Sequence, residues 1–127
     1  MPDSQGADRS SSTLETVQEM VDAVNRQDVD ALMGLCTDDV IWETTTPPDG
    51  ERYEGKAAVR AALEAFFHSS AEAHFETERQ TSLGESAVLQ WRYSWRSTDG
   101  TSGHVRGVDV IRVRDDKIAE MLAYVKG

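Results

Sequence analysis

Apolar residues recur along this chain with two different periods, and the change between them divides it roughly in half. Leu14, Val17, Met20, Val21 and Val24 fall three or four residues apart, the spacing that lines one face of an α-helix, and predict a first helix that runs to about Arg26. Ser12-Thr13-Leu14-Glu15 has capping-box spacing, so the helix is expected to start there, with residues 1–12 as a flexible tail. Asp28 is placed to cap a second, short helix with Val29, Leu32, Leu35 and Cys36 on one face, ended by Thr37-Asp38-Asp39. Val40 to Thr45 is β-branched and aromatic and predicts a strand with Val40, Trp42 and Thr44 on one side. Pro47-Pro48-Asp49-Gly50 leaves it as a loop, and a third helix starts near Gly55 or Lys56, burying Val59, Leu63, Phe66 and Phe67.

From Ala73 onward the period shortens to two. His74 to Ser82, Ala87 to Arg96, the run from Gly103 and the segment after Arg114-Asp115-Asp116-Lys117 read as a meander of four strands. Asp99-Gly100 is the strongest local hairpin signal, because a two-residue type I′ turn needs positive φ at both positions and these residues tolerate it. Such a loop sets Gln90 opposite Asp109 and Arg92 opposite Gly107; a one-residue change of register brings Leu89 or Trp91 there instead. The order of elements predicts one α+β domain over residues 13–127, with three helices packed on the concave face of a curved, mainly antiparallel sheet. A cone of that kind leaves room for a small molecule.

Charge narrows the partners. A formal net charge of −10 and a pI near 4.6 argue against nucleic acid and anionic membrane surfaces, which attract clustered Lys and Arg. No stretch has the apolar length of a membrane span, and the N-terminus lacks a basic start followed by an apolar run. Cys36 is the single cysteine, so no internal disulfide is expected and a cytoplasmic location fits. It reads as a small core hydrophobe. His68, His74 and His104 are isolated and read as solvated, which leaves no zinc spacing and no expected cofactor.

One residue breaks the meander's pattern. Asp109 lies within Val108, Val110, Ile111 and Val113, and the alternation sets it on one face with Val105, Gly107, Ile111 and Val113. Burying an acid there is costly unless it is hydrogen-bonded or protonated. With Arg92 beside it the carboxylate stays ionised; in an apolar pocket without Arg92 its pKa rises and it becomes a proton donor. Trp42, Thr44, Gln90, Met20 and Met121 are the residues expected to shape the pocket. Leu89, Trp91, Tyr93 and Trp95 alternate on one face, and beside Val108 and Val110 they suggest the apolar surface of a homodimer.

Three stretches carry a resemblance: Asp28-Val29-Asp30-Ala31-Leu32 ahead of Thr37-Asp38-Asp39-Val40-Ile41-Trp42-Glu43; Tyr53-Glu54-Gly55-Lys56-Ala57-Ala58-Val59-Arg60; and Arg106-Gly107-Val108-Asp109-Val110 through Lys117-Ile118-Ala119-Glu120. In these the chain resembles the nuclear transport factor 2-like superfamily, in its SnoaL-like branch of polyketide-cyclase and ketosteroid-isomerase relatives. The resemblance implies the cone fold and a small, largely apolar organic ligand. It also implies a role for Asp109, which matches the acid that donates a hydrogen bond to an oxyanion in the isomerases. The isomerase base falls at Thr44 and the phenol near Met20, so that set is incomplete. Arg92 matches the arginine of the superfamily's epoxide hydrolases, but Ser94 and Ala123 replace their acids, and Trp42 and Thr44 their water-positioning pair. The cyclases use one pocket acid for an aldol closure, for which Asp109 is the candidate; the catalytic candidates are therefore Asp109 and, as its electrostatic partner, Arg92. The implied function is cofactor-free acid/base chemistry, a cyclisation or isomerisation; the alternative is a binding or interaction module without turnover.

Overall fold

The computed structural model describes residues 2–69 and 72–126, with the backbone alone for residues 2–8, and arranges them as three helices on one six-stranded sheet. In chain order these are α1 (Pro2–Arg26), α2 (Val29–Gly34), β1 (Cys36–Glu43), β2 (Arg52–Glu54), α3 (Lys56–Ser69), β3 (Glu72–Leu83), β4 (Ser86–Arg96), β5 (Ser102–Arg114) and β6 (Lys117–Val125). The sheet runs β2-β1-β6-β5-β4-β3, is curved and unclosed, and is antiparallel throughout except where β1 lies parallel to β6. The α+β architecture is the one the change of period predicts.

Several boundaries differ from expectation, each for a tertiary reason. Helix α1 starts at Pro2, ahead of the Ser12 capping box. Of the expected tail, Met1 and the side chains of residues 2–8 lie outside the described residues; the next turns are tied to the β3–β4 corner. Ser10 Oγ accepts from the Gly84 amide at 3.0 Å, Ser82 Oγ donates to the Ser10 carbonyl at 2.9 Å, and Thr13 Oγ1 donates to the Gly84 carbonyl at 2.8 Å. These partners are some seventy residues away in sequence. Asp28 caps α2 as expected, accepting from the Ala31 amide at 3.0 Å. Thr37-Asp38-Asp39 does not merely end that helix but lies within β1, because Cys36 already pairs with Ile118 of β6. Cys36 is fully buried, and burial pushes its thiol up to about 11, so it is the inert core hydrophobe its neighbours suggest. Thr44 falls past the end of β1, and the short strand β2 went unpredicted; it pairs Tyr53 with Trp42.

The hairpin turns are distributed differently from the sequence signal. The β4–β5 connection closes through the Ser97 amide on the Thr101 carbonyl at 2.7 Å, around Thr98, Asp99 and Gly100. Only Gly100 of these has positive φ, at 90°, and Asp99 instead accepts from the amide and hydroxyl of Thr101. The two-residue loop with both residues at positive φ is at Asp115-Asp116, between paired Arg114 and Lys117. The odd loop moves β4 by one residue against β5, so Leu89 lies opposite Asp109, Trp91 opposite Gly107 and Arg92 opposite Arg106. Of the two registers weighed from sequence, the shifted one is formed.

The core lies between α1, α3 and the concave sheet face, where Val17, Leu32, Val40, Val59, Ile111 and Ile118 are all but inaccessible. Edge strand β3 is held against α1 by Asn25, whose carboxamide donates to the Phe75 carbonyl at 2.9 Å and accepts from the Phe75 amide at 2.8 Å. The side chain thus serves an edge-strand backbone pair as a neighbouring strand would. Replacing Asn25 by Ala removes both bonds and is expected to cost about 2 kcal/mol in urea-induced unfolding, with an unchanged slope against denaturant.

Candidate functional site

Between the helices and the concave face lies a cavity of about 510 Å³. Its walls come from α1 (Met20, Val21, Val24), α3 (Leu63, Phe66) and the inner residues of β3 to β6, with Trp42 and Tyr53 on one side and Thr44 at the segment after β1. Trp42 and Met121 meet as register partners across β1 and β6, and Met121 in turn pairs with Ile111 of β5. Five of the residues expected at the site, Asp109, Trp42, Thr44, Met20 and Met121, therefore line one space.

Arg92 and Gln90 do not. Residues directly paired in an antiparallel sheet share a face, so Leu89 opposite Asp109 carries Leu89, Trp91 and Tyr93 inward and turns Gln90 and Arg92 outward. Arg92 is exposed, level with Glu76 and Arg106 on the convex side. The expectation of an Arg92–Asp109 pair is corrected by that one-residue register, and with it the expectation of Gln90 as a pocket wall. The same shift corrects the grouping of Leu89, Trp91 and Tyr93 with Val108 and Val110. The first three line the cavity, while Val88 and Val110 stand paired on the opposite face.

Asp109 sits at the cavity floor, 9% exposed, and its single described side-chain partner is Trp91, whose Nε1–H donates to Oδ1 at 2.9 Å. Burial, opposed by this one hydrogen bond, pushes the carboxyl from its ordinary 3.8 up to about 7. Among the described residues, no Lys, Arg, His or Glu lines the cavity; its other titratable groups are Tyr53 and Tyr93. The Tyr53 hydroxyl donates to Glu51 Oε2 at 2.6 Å, which raises its pKa. Thr44 Oγ1 accepts from the Glu51 amide at 2.9 Å and shares a bond with Thr46 Oγ1, so it braces the segment beside the cavity. The aromatic walls are contiguous: Phe75 stands edge-on to Trp91 with centroids 5.3 Å apart, and Tyr93 packs between Phe75 and Trp95 at 4.5 and 5.9 Å.

Sequence reasoning missed Trp91 as a site residue, although its signal was present. Tryptophans at positions 91 and 95 lie in register with glycines at 107 and 103, and each indole covers its glycine. A Cβ at Gly107 would come within 2.6 Å of the Trp91 ring and would clash with the Tyr124 carbonyl; the nearest atoms to one at Gly103 belong to the Trp95 ring, again at 2.6 Å. Trp95 is a third exposed and can swing away, whereas the Tyr124 carbonyl belongs to the neighbouring strand. Gly107→Ala is accordingly expected to lose about 3 kcal/mol in chemical denaturation and Gly103→Ala less than about 1 kcal/mol. Equal losses would contradict this account of the two contacts.

The raised carboxyl pKa also links stability to pH. Asp109 binds its proton more tightly folded than unfolded, so its stabilising contribution is complete below pH 3.8 and is lost as pH rises through about 7. Asp109→Asn keeps an acceptor for the Trp91 N–H but cannot ionise. Between pH 5 and pH 8 the unfolding free energy of the variant, relative to that of the unaltered protein, is expected to rise by about 3 kcal/mol.

The fold and site can now be set beside known proteins. Residues 17–121 match the family model described as SnoaL-like domain. An NTF2-like protein of unknown function from Mesorhizobium loti is 35% identical, with 94% of each chain covered and a TM-score of 0.78. An LEH-like epoxide hydrolase from M. tuberculosis shares the fold at 14% identity and a TM-score of 0.78, over 92% of this chain and 84% of its own. TerC, co-crystallised with polyporic acid, does so at 16% identity and a TM-score of 0.79, over 91% of this chain and 92% of its own. No curated protein sequence matches. With the family model spanning most of its length and a relative more than 30% identical end to end, this chain belongs to the SnoaL-like family of NTF2-like proteins.

Proposed function

We propose that this protein binds a small, largely apolar organic molecule in the cavity and performs cofactor-free acid/base chemistry on it through Asp109, as an aldol-type cyclisation or an isomerisation would require. The observation that carries the reading is a buried carboxyl group, its pKa pushed up to about 7 by desolvation, on the floor of a mostly apolar, aromatic-walled chamber. Near neutral pH such a group is populated in both protonation states, so a single residue can give a proton to one atom of the ligand and take one from another. The aromatic walls supply burial for a flat ligand, and Met20 and Met121 adapt to its outline. TerC, of the same fold, was co-crystallised with polyporic acid, a precedent for a small ligand. One observation favours a second reading, a binding module without turnover: among the described residues no second carboxyl and no His, Lys or Arg lines the cavity with Asp109, and the resemblance sets Thr44 where the isomerases place their base.

The assembly and location follow the same proposal. Val88, Val110 and Tyr124 stand 45%, 39% and 53% exposed on the convex face, and a homodimer covering them fits that apolar surface. A cytoplasmic location fits the single buried thiol, and no helix among the described residues is long and apolar enough to cross a membrane.

The deciding experiment is a thermal-shift screen of uncharged aromatic and alicyclic carbonyl compounds, followed by turnover assays of each hit with the unaltered protein and Asp109→Asn. Consumption of a hit that drops by 100-fold or more in the variant supports the enzyme reading. Equal consumption by both proteins removes Asp109 from the chemistry, and binding without consumption establishes the module.

A further inference from the structure

We propose that Trp91 is the positioning residue of this site: its indole, seated in the notch left by Gly107, holds one oxygen of Asp109 and leaves the other facing the cavity to donate to an uncharged acceptor oxygen on the ligand. For the ligand this rests on the reading above; for the positioning device it does not.

The notch is specific to its occupant. Trp91 and Gly107 are register partners on the concave face, and the indole fills the volume that any side chain at position 107 would need. Phe75 closes on the same ring edge-on. Held this way, Nε1 reaches two residues along β5 to Asp109 Oδ1. The chemistry of the donor then matters. An indole N–H donates only and carries no charge, so it can neither accept the acid's proton nor hold the acid ionised as an arginine would. Oδ1 is committed as an acceptor, and the proton of the neutral acid therefore resides on Oδ2. No described residue bonds Oδ2, and the atom is not sealed away from the cavity. The ligand thus meets a single O–H, on the oxygen that Trp91 leaves free. A carbonyl oxygen satisfies it. A carboxylate would face an ionising acid with no lining cation among the described residues to offset the repulsion.

The test needs no ligand, so its outcome is independent of the screen described above. In the unaltered protein, labelled for NMR, the Trp91 Nε1–H resonance and the Asp109 side-chain carbonyl carbon are expected to titrate together, with one midpoint near 7. In Trp91→Phe, which keeps an aromatic ring over Gly107 but removes the donor, the Asp109 midpoint is expected to rise by about one pH unit. An indole resonance that ignores the titration of Asp109 overturns the proposal, as does a folded Trp91→Phe protein with an unmoved midpoint. Should that variant fail to fold, the shared or separate midpoints in the unaltered protein decide alone. Failure of every ligand to bind, with these midpoints coupled, would refute the functional reading and leave the positioning role standing.

Discussion

The pairing of β4 with β5 rests on a connection that closes around three residues, and this odd count sends alternate side chains of β4 to the faces they occupy. Leu89, Trp91 and Tyr93 go inward as a consequence, while Gln90 and Arg92 go out. The cation that would have stabilised an ionised Asp109 is thereby separated from it by the sheet. What faces the acid instead is a neutral indole N–H and an apolar chamber. An acid that would otherwise titrate near 4 is held near 7 by desolvation that one uncharged hydrogen bond only partly offsets.

This arrangement places the cost of burying a carboxyl where the surrounding structure can carry it. A buried carboxyl with one neutral partner is destabilising above its ordinary pKa, and it lies in the best-paired part of the sheet, between β4 and β6. The aliphatic layer of Ile111, Val113 and Ile118 continues the core from the same strands, so the acid is fixed on a rigid element rather than a loop. Gly107 shows the same economy of space: the absence of a side chain there admits both the Trp91 ring and the close approach of the β6 backbone. The fold supplies the hollow; the glycine, tryptophan and acid together set its one carboxyl group among the described residues.

Family membership does not by itself specify the chemistry. The epoxide hydrolase with the same fold is only 14% identical, a likeness that extends to the fold alone. Thr44, beside the cavity, spends its hydroxyl on the Glu51 amide and on Thr46. Among the described residues the cavity is lined by a single carboxyl group, Asp109, and its surroundings push that group's pKa up to about 7.

Much of this was legible in the residues themselves. Helical spacing in Leu14 to Val24 and in Val59 to Phe67, alternation from Ala73 onward and the Asp28 cap together determined the fold class and the meander, and an acid stranded among valines marked Asp109 as a buried carboxyl, because these patterns reflect local geometry and burial. The register of β4 against β5 was not legible. Asp99-Gly100 suits a two-residue turn, yet Asp99 binds Thr101 and Gly100 alone takes positive φ, while Asp115-Asp116 forms the two-residue turn without a glycine. Local propensity does not distinguish loops that differ by one residue when tertiary packing favours one of them. Only the folded sheet decided that Trp91 and Gly107 are neighbours, that Arg92 lies outside, and hence which proton affinity Asp109 has.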